Sequence, residues 1–393
     1  MALILLALDY PPQLGGIQRY CFELARALHD RGVKLLVVAS RQEGAEALDA
    51  AQPFPTVRIP SVSKTADAMS LVSAVEQVLA EDRLGEPVEA ILCGKWSPEG
   101  IGALLLKRRT GLPYVLIGHG RETTLTGGNL MKWILQRSVV RGAAGGATNS
   151  HYTSGQFARR GLPDERRRVI YAGVQPEDFV PRPEQVEALR ARLGLGAEKI
   201  VLTVSRLVSR KGQDQVLRAL PAVKAEIGAV RYLIAGSGPE EERLRQLTQE
   251  LKLEPEVLFL PEVSHEELPA LYALADVFLM PSRDLPGEPI EGFGLVYLGA
   301  QLCGTPVIGG RTGGTSDAIV DGETGLLVNP EQPAEIASAL VRLLQDPELG
   351  QRLAAAGAER SRQDFTWDRV AERLLAALAE WGLRPAEAAP HAG

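Results

Sequence analysis

The chain is short of cysteine, aromatic residues and positive charge, and each shortage excludes something. Its 393 residues include 3 cysteines, Cys21, Cys93 and Cys303, far apart and without CxxC spacing. That pattern fits neither a disulfide framework nor a cysteine-based zinc site, and a reducing, cytoplasmic setting is the simplest expectation. Aromatic residues make up 5% while glycines number 40, which suits α/β layers with many tight turns better than a β-sandwich. The net charge of −6 argues against a general nucleic-acid binder, though it leaves room for a local basic pocket that takes a phosphorylated small molecule. No apolar run approaches the ~20 residues that a membrane span needs. The apolar start, residues 1–8, has no basic flank and meets Asp9 at once, so it reads as a buried strand and not as a signal peptide. Metal-ligand spacing is also missing: there is no HExxH, no DxD pair and no Cys/His cluster.

What is present is alternation. ALILLALD (2–9) reads as a buried strand, PPQLGG (11–16) as a loop, IQRYCFELARALHDRG (17–32) as a helix and VKLLVVAS (33–40) as the next strand. The helix carries Tyr20, Leu24, Ala27 and Leu28 on one stripe. This βαβ unit predicts a parallel sheet. Further strands are expected at 56–59, 89–93, 113–118, 145–149 and 168–171. Residues 181–199 have a polar start and several breakers, which places a domain change near 175–195. A second βα series follows, with strands at 200–207, 230–236, 257–263, 276–282, 305–310 and 324–329. The last long helix is expected over 366–382, before a Pro/Ala-rich, frayed tail. Two doubly wound α/β domains place ligands at the carboxyl ends of strands, with a cleft between the domains.

Several strand ends carry suggestive residues. Gly15 and Gly16 precede a helix start, where backbone N–H groups can approach a phosphate; a tight turn without ligand is the other reading. SRLVSRKG (205–212) sets Arg206, Arg210 and Lys211 beside a strand end, a phosphate clamp or a solvated basic turn. GSGPEEERL (236–244) begins like GxGxxG through Gly236 and Gly238, but the sixth place is Glu241. That disfavours a dinucleotide site and a dehydrogenase, and leaves a base or ribose contact open. In EPIEGFGLVYL (288–298), Glu291 can accept hydrogen bonds from a sugar, and the N–H groups beyond Gly292 and Gly294 can bind hydroxyls or phosphate. A plain cap by Glu291 would not need two closely spaced glycines. His119, after the strand 113–118, can bond a substrate or carry a proton, or be a satisfied structural histidine.

In this order and spacing, the PPxxGGI loop, HG after the fifth strand, YAGVQPEDF, VSRLVSRKG, GSGPEEERL, MPSR…EGFGLVYL and CGTPVIGGRTGGTSDAIVDGETGLLV resemble the retaining family 4 glycosyltransferases. The match runs over about residues 1–382, and bacterial mannosyl- and glucosyltransferases look most similar. The resemblance implies a GT-B fold: two Rossmann-like doubly wound parallel-sheet domains facing a cleft. Residues 1–180 would form an acceptor-side domain and 181–365 a nucleotide-sugar-binding domain. The helix 366–382 would cross back onto the first, and 383–393 would be a flexible tail. It implies that Gly15 and Gly16 face the donor diphosphate or the acceptor, that His119 contacts the donor sugar, and that Arg206 and Lys211 hold the diphosphate. Glu291, with the backbone of Phe293, Gly294 and Leu295, would bind sugar hydroxyls and phosphate. The donor would be a GDP- or UDP-linked sugar, and no metal is required, in agreement with the missing DxD.

One departure stands out. The second Glu of the family's E-x7-E pattern, which usually grips the nucleotide ribose, is here Gly299. The loss of such an acceptor costs roughly 1–3 kcal/mol if buried, and a helical Gly costs about 1 kcal/mol against Ala. A smaller departure is Ala172, where the family often has Asn or Pro. A non-catalytic sugar-nucleotide-binding relative is therefore an alternative, as is an epimerase, which would need acid/base carboxylates such as Glu291 and Glu122. The acceptor, a hydroxyl on a lipid, a glycan or a small molecule, is poorly defined. NLMKWILQRSVVRG (129–142), with Lys107, Arg108 and Arg109, offers either a peripheral membrane contact at the inner face or an ordinary domain helix.

Overall fold

The computed structural model describes residues 1–13, 15–120, 130–260, 263–288 and 290–383; Glu122 and the tail 384–393 lie outside them. The described chain divides into two units, residues 1–173 with 367 onward, and 174–366. The division falls ahead of residue 181 because the segment around Phe179 packs within the second unit, its ring 6.3 Å from that of Tyr272 and its carbonyl accepting from Cys303 Sγ.

Among the described residues the first unit holds strands β1 (Ala2–Leu6), β2 (Lys34–Ser40), β3 (Thr56–Ile59), β4 (Val88–Cys93), β5 (Tyr114–Gly118), β6 (Gly145–Thr148) and β7 (Arg167–Val169). All are parallel, in the order β3-β2-β1-β4-β5-β6-β7. β1 is wholly buried, with Leu3 opposite Leu35 and Ile4 opposite Ile91. Helices cover both faces of such a sheet, which is why the sequence shows continuous apolar runs instead of alternation. The helix Gly16–Asp30 buries Tyr20, Leu24, Ala27 and Leu28. The helix Trp367–Glu380 packs on it, with the Trp367 ring 5.2 Å from Tyr20 and Arg31 donating to Asp368 at 2.7 Å.

The second unit holds β8 (Lys199–Val204), β9 (Val230–Ala235), β10 (Val257–Leu260), β11 (Val277–Met280), β12 (Val307–Gly310) and β13 (Leu326–Val328), again parallel, in the order β10-β9-β8-β11-β12-β13. The breaker-rich segment that suggests a boundary instead forms the helix Pro183–Arg192. A proline in the first turn is compatible with a helix because its missing N–H would have no intrahelical partner there.

The strand order reverses at β1/β4 in one unit and at β8/β11 in the other. At such a point the loops leaving two neighbouring strands part to opposite faces and open a crevice at their carboxyl ends.

Candidate active site

In the second unit, the loops after β8 and β11 meet at the reversal. The chain leaves β8, makes a 3-10 turn at Ser209–Lys211 and passes through Gly212 at φ 76° before the helix Gln213–Ile227. Gly212 lies so close to the other loop that a Cβ there would sit 2.2 Å from the Pro281 carbonyl oxygen. Any side chain would therefore push the two loops apart.

This approach brings Lys211 to Glu291. The buried ammonium donates to Glu291 Oε2 and lies 3.4 Å from Met280 Sδ. Arg210 donates to the same carboxylate oxygen at 3.3 Å. Burial works against the Glu291 charge, but the Coulombic pull of Lys211, then of Arg210, and the hydrogen bonds from both outweigh it and hold the carboxyl at about 2. Burial also pulls the Lys211 ammonium below its ordinary value, and Glu291 works in the opposite sense. The Glu291 main chain is pinned as well, its carbonyl accepting from Gly314 N–H at 2.9 Å.

A second pair ties the loops together beneath this cluster. Arg283 donates to both carboxylate oxygens of Asp214, at 3.0 and 3.1 Å, and to the Ser209 carbonyl at 3.1 Å. Arg283 and Asp214 are both buried. Nη2 reaches both Asp214 oxygens while Nε takes the Ser209 carbonyl, so the planar guanidinium fixes loop against helix in a way that a point charge would not.

The expected site residues are distributed unevenly. Lys211 and Glu291 touch; Arg206 is exposed at the strand end, and Arg210 takes the place beside the carboxylate. Gly294 sits at φ 99° before the helix Leu295–Leu302, and Phe293 is buried with its ring 5.4 Å from Phe365. The first turn of that helix, beginning at Leu295, presents backbone N–H groups without intrahelical acceptors, beside Glu291 and Gly292 in sequence. Gly236 and Gly238 are explained by packing: a Cβ on either would lie 2.2 Å from a carbonyl oxygen, Ser205 and Leu207 respectively. Gly299 is buried, and a Cβ there would lie 2.6 Å from Phe179 Cε1 and 3.1 Å from Tyr272 Cε2. Two aromatic rings thus occupy the space a side chain would enter. Sequence alone does not assign Arg283 and Asp214; the one signal it offers is an Arg directly after the run 276–282.

In the first unit, His119 follows β5. Its Nε2 donates to the Gly94 carbonyl at 2.9 Å, and its ring stands edge-on to Tyr20 at 4.7 Å. Gly15 and Gly16 are exposed at the start of the helix Gly16–Asp30. Among the described residues no group of three or more His, Cys, Asp or Glu is placed to hold a metal ion.

Two protein-family models match the chain: Glycosyltransferase Family 4 over residues 14–178 and Glycosyl transferases group 1 over residues 185–360. A GDP-mannose-dependent alpha-(1-6)-phosphatidylinositol monomannoside mannosyltransferase of Mycolicibacterium smegmatis is 32% identical over 381 residues, covering 96% of this chain and 98% of that protein. The chain belongs to glycosyltransferase family 4. This family 4 enzyme is also 32% identical over 399 residues to a D-inositol 3-phosphate glycosyltransferase of Acidothermus cellulolyticus, covering 93% of this chain and 86% of that one. Its fold is GT-B: the crystal structure of Anabaena HepE in complex with UDP and glucose superposes with a TM-score of 0.79 at 22% identity, over 96% of this chain and 99% of that one. The chain is thus a glycosyltransferase by family, and neither the epimerase nor the non-catalytic alternative is favoured by its relatives.

Proposed function

We propose that this family 4 glycosyltransferase moves a hexose from a nucleotide-diphosphate donor, GDP-linked or UDP-linked, to a hydroxyl acceptor with retention at the anomeric carbon and without a metal. The observation that carries this reading is the buried Lys211–Glu291–Arg210 cluster at the β8/β11 reversal. Mannose is the favoured sugar, since the mycolicibacterial relative is named for GDP-mannose.

The difficult step is departure of the diphosphate while positive charge develops on the sugar. The bond between C1 and the diphosphate oxygen breaks, the bond from C1 to the acceptor oxygen forms on the same face, and the acceptor proton goes to the leaving diphosphate. Lys211, with Arg210 and Arg206 on the same loop, meets the charge that leaves. A pre-organised cation of this kind needs no reorientation during reaction. The N–H groups at Phe293, Gly294 and Leu295 take phosphate oxygens at a helix N-terminus. Glu291, ionised throughout the neutral range, accepts from sugar hydroxyls and keeps the Lys211 ammonium aimed. The loop at Gly236 and Gly238 lies beside β8 and faces the nucleoside. The first unit is the acceptor side in this reading, with Gly15, Gly16 and His119 lining it, and the setting is cytoplasmic.

The test is Lys211→Ala assayed with GDP-mannose and with UDP-glucose. Turnover should fall by ~10²–10³, with the anomeric configuration of the wild-type product read by NMR. Unchanged turnover in the variant overturns the diphosphate assignment, and an inverted product overturns retention.

A further inference from the structure

Arg360 stands on the helix Pro347–Asp364, and its guanidinium pairs with no carboxylate among the described residues. It donates instead to the carbonyls of Asp317 at 3.0 Å and Ala318 at 3.2 Å. These end the short helix Thr315–Ala318, where carbonyls have no intrahelical donor. The same guanidinium lies over the ring of Phe365 at 4.7 Å. A cation and an aromatic face attract in this arrangement, more strongly away from water, and Phe365 is fully buried. One half-buried cation, with no anion to neutralise, thus holds two neighbours in place.

Both neighbours lead to the same segment. From the helix Thr315–Ala318 the path runs back to Gly314, whose N–H donates to the Glu291 carbonyl at 2.9 Å. The approach is tight. A Cβ on Gly313 would lie 2.6 Å from the Glu291 carbonyl oxygen, and one on Gly314 would lie 2.0 Å from that of Gly292. A shift of this short helix therefore moves or releases residues 291 and 292. From Phe365 the path runs to Phe293, ring edge to ring face at 5.4 Å and 71°. Phe365 is itself anchored, since its carbonyl accepts from Val174 N–H at 2.6 Å. Arg360 bonds to neither Glu291 nor Phe293; it acts through what it holds.

We infer that Arg360 is a positioning residue for the donor diphosphate. It braces residues 291–293 from two sides, so that the N–H groups at Phe293, Gly294 and Leu295 are aimed before the donor arrives. The inference rests on the transfer reading above, in which Glu291 takes the sugar. The phosphate met by these N–H groups is then the one bonded to the sugar, the second phosphate of the donor. A segment already ordered binds without the entropy cost of ordering it. The brace therefore acts on affinity for that phosphate and not on affinity for the rest of the nucleotide.

The experiment measures nucleoside monophosphate and diphosphate binding to the full chain by calorimetry. The pair is GMP and GDP or UMP and UDP, whichever raises the wild-type melting temperature. The wild type should prefer the diphosphate. Arg360→Ala should shrink that preference by about fivefold, the worth of ordering roughly one residue, and leave monophosphate affinity within about twofold. Arg360→Lys keeps the charge but has no planar group to join two carbonyls and cover a ring, and should fall between. Phe365→Leu removes the aromatic edge while filling the core, and should shift the preference in the same direction through the other arm. A purely structural role would weaken both ligands alike. Equal loss for both nucleotides, or an unchanged preference in Arg360→Ala, overturns the proposal and leaves the diphosphate reading standing. A wild type that binds neither pair, or binds both members of a pair equally, overturns that reading and the proposal with it.

Discussion

If Lys211 and Glu291 form a working unit, their stabilising effects must not add. The difference between an ordinary carboxyl at 4.5 and one held at about 2 corresponds to roughly 3 kcal/mol of preference for the ionised form. Both side chains are largely shielded from water, at 11% and 13% exposure, so little of this is lost to screening. Lys211→Met leaves a buried carboxylate with Arg210 alone, at a cost of about 3 kcal/mol. Glu291→Gln leaves a buried ammonium facing an amide, which costs a similar amount. The double variant lacks both charges and should lose less than the sum, with a coupling of about 2–3 kcal/mol. Urea unfolding of the four proteins measures the cycle. The pH profile gives an independent reading. Because Glu291 is depressed in the folded state, its contribution is present above the unfolded value of 4.5 and is lost as pH falls toward about 2. The wild-type advantage over Glu291→Gln should shrink across that window. Additivity within about 0.5 kcal/mol, or an acid profile identical in both proteins, would refute the reasoning.

Two further outcomes follow from the packing. Gly299→Ala gains about 1 kcal/mol of helix propensity but drives a methyl into the Phe179 ring. Overpacking of ~1–3 kcal/mol should win, lowering the melting temperature, and Phe179→Leu should restore it; a more stable single variant would show the ring yields freely. Glu99 is wholly buried, and desolvation, partly offset by the Lys95 charge, pushes its carboxyl up to about 7. Its contribution is therefore full below the unfolded value of 4.5 and is lost as pH rises through 7. Glu99→Gln keeps an acceptor for the Leu8 N–H, bonded at 3.1 Å in the wild type, and should remove that loss, making the variant more stable than wild type at pH ~8 by up to about 3 kcal/mol. Parallel stability profiles for the two proteins would disprove it.

Most of the architecture could be read from residues alone, because a parallel sheet buried on both faces demands apolar runs such as 2–6 and 200–204, and little else produces them at this spacing. Helix starts were harder. Pro183 reads as a breaker in a string of letters, yet it opens a helix. Within the site, sequence order shows that Arg206, Arg210 and Lys211 share a loop, but only the folded turn at Ser209–Lys211 shows which of them turn inward. Arg210 reaches the carboxylate and Arg206 stays in solvent. The Arg283–Asp214 pair joins residues far apart along the chain, and such a bond has no periodicity to betray it. Gly299 was visible as a departure, but its filling by Phe179 and Tyr272 required coordinates.

The order of the first six strands in the first unit is repeated in the second, so each unit carries a reversal of its own. The turn at 209–211 and the loops that leave β1 and β4 therefore belong to different units. Loops can thus be grafted at one reversal without redesigning the sheet that carries the other.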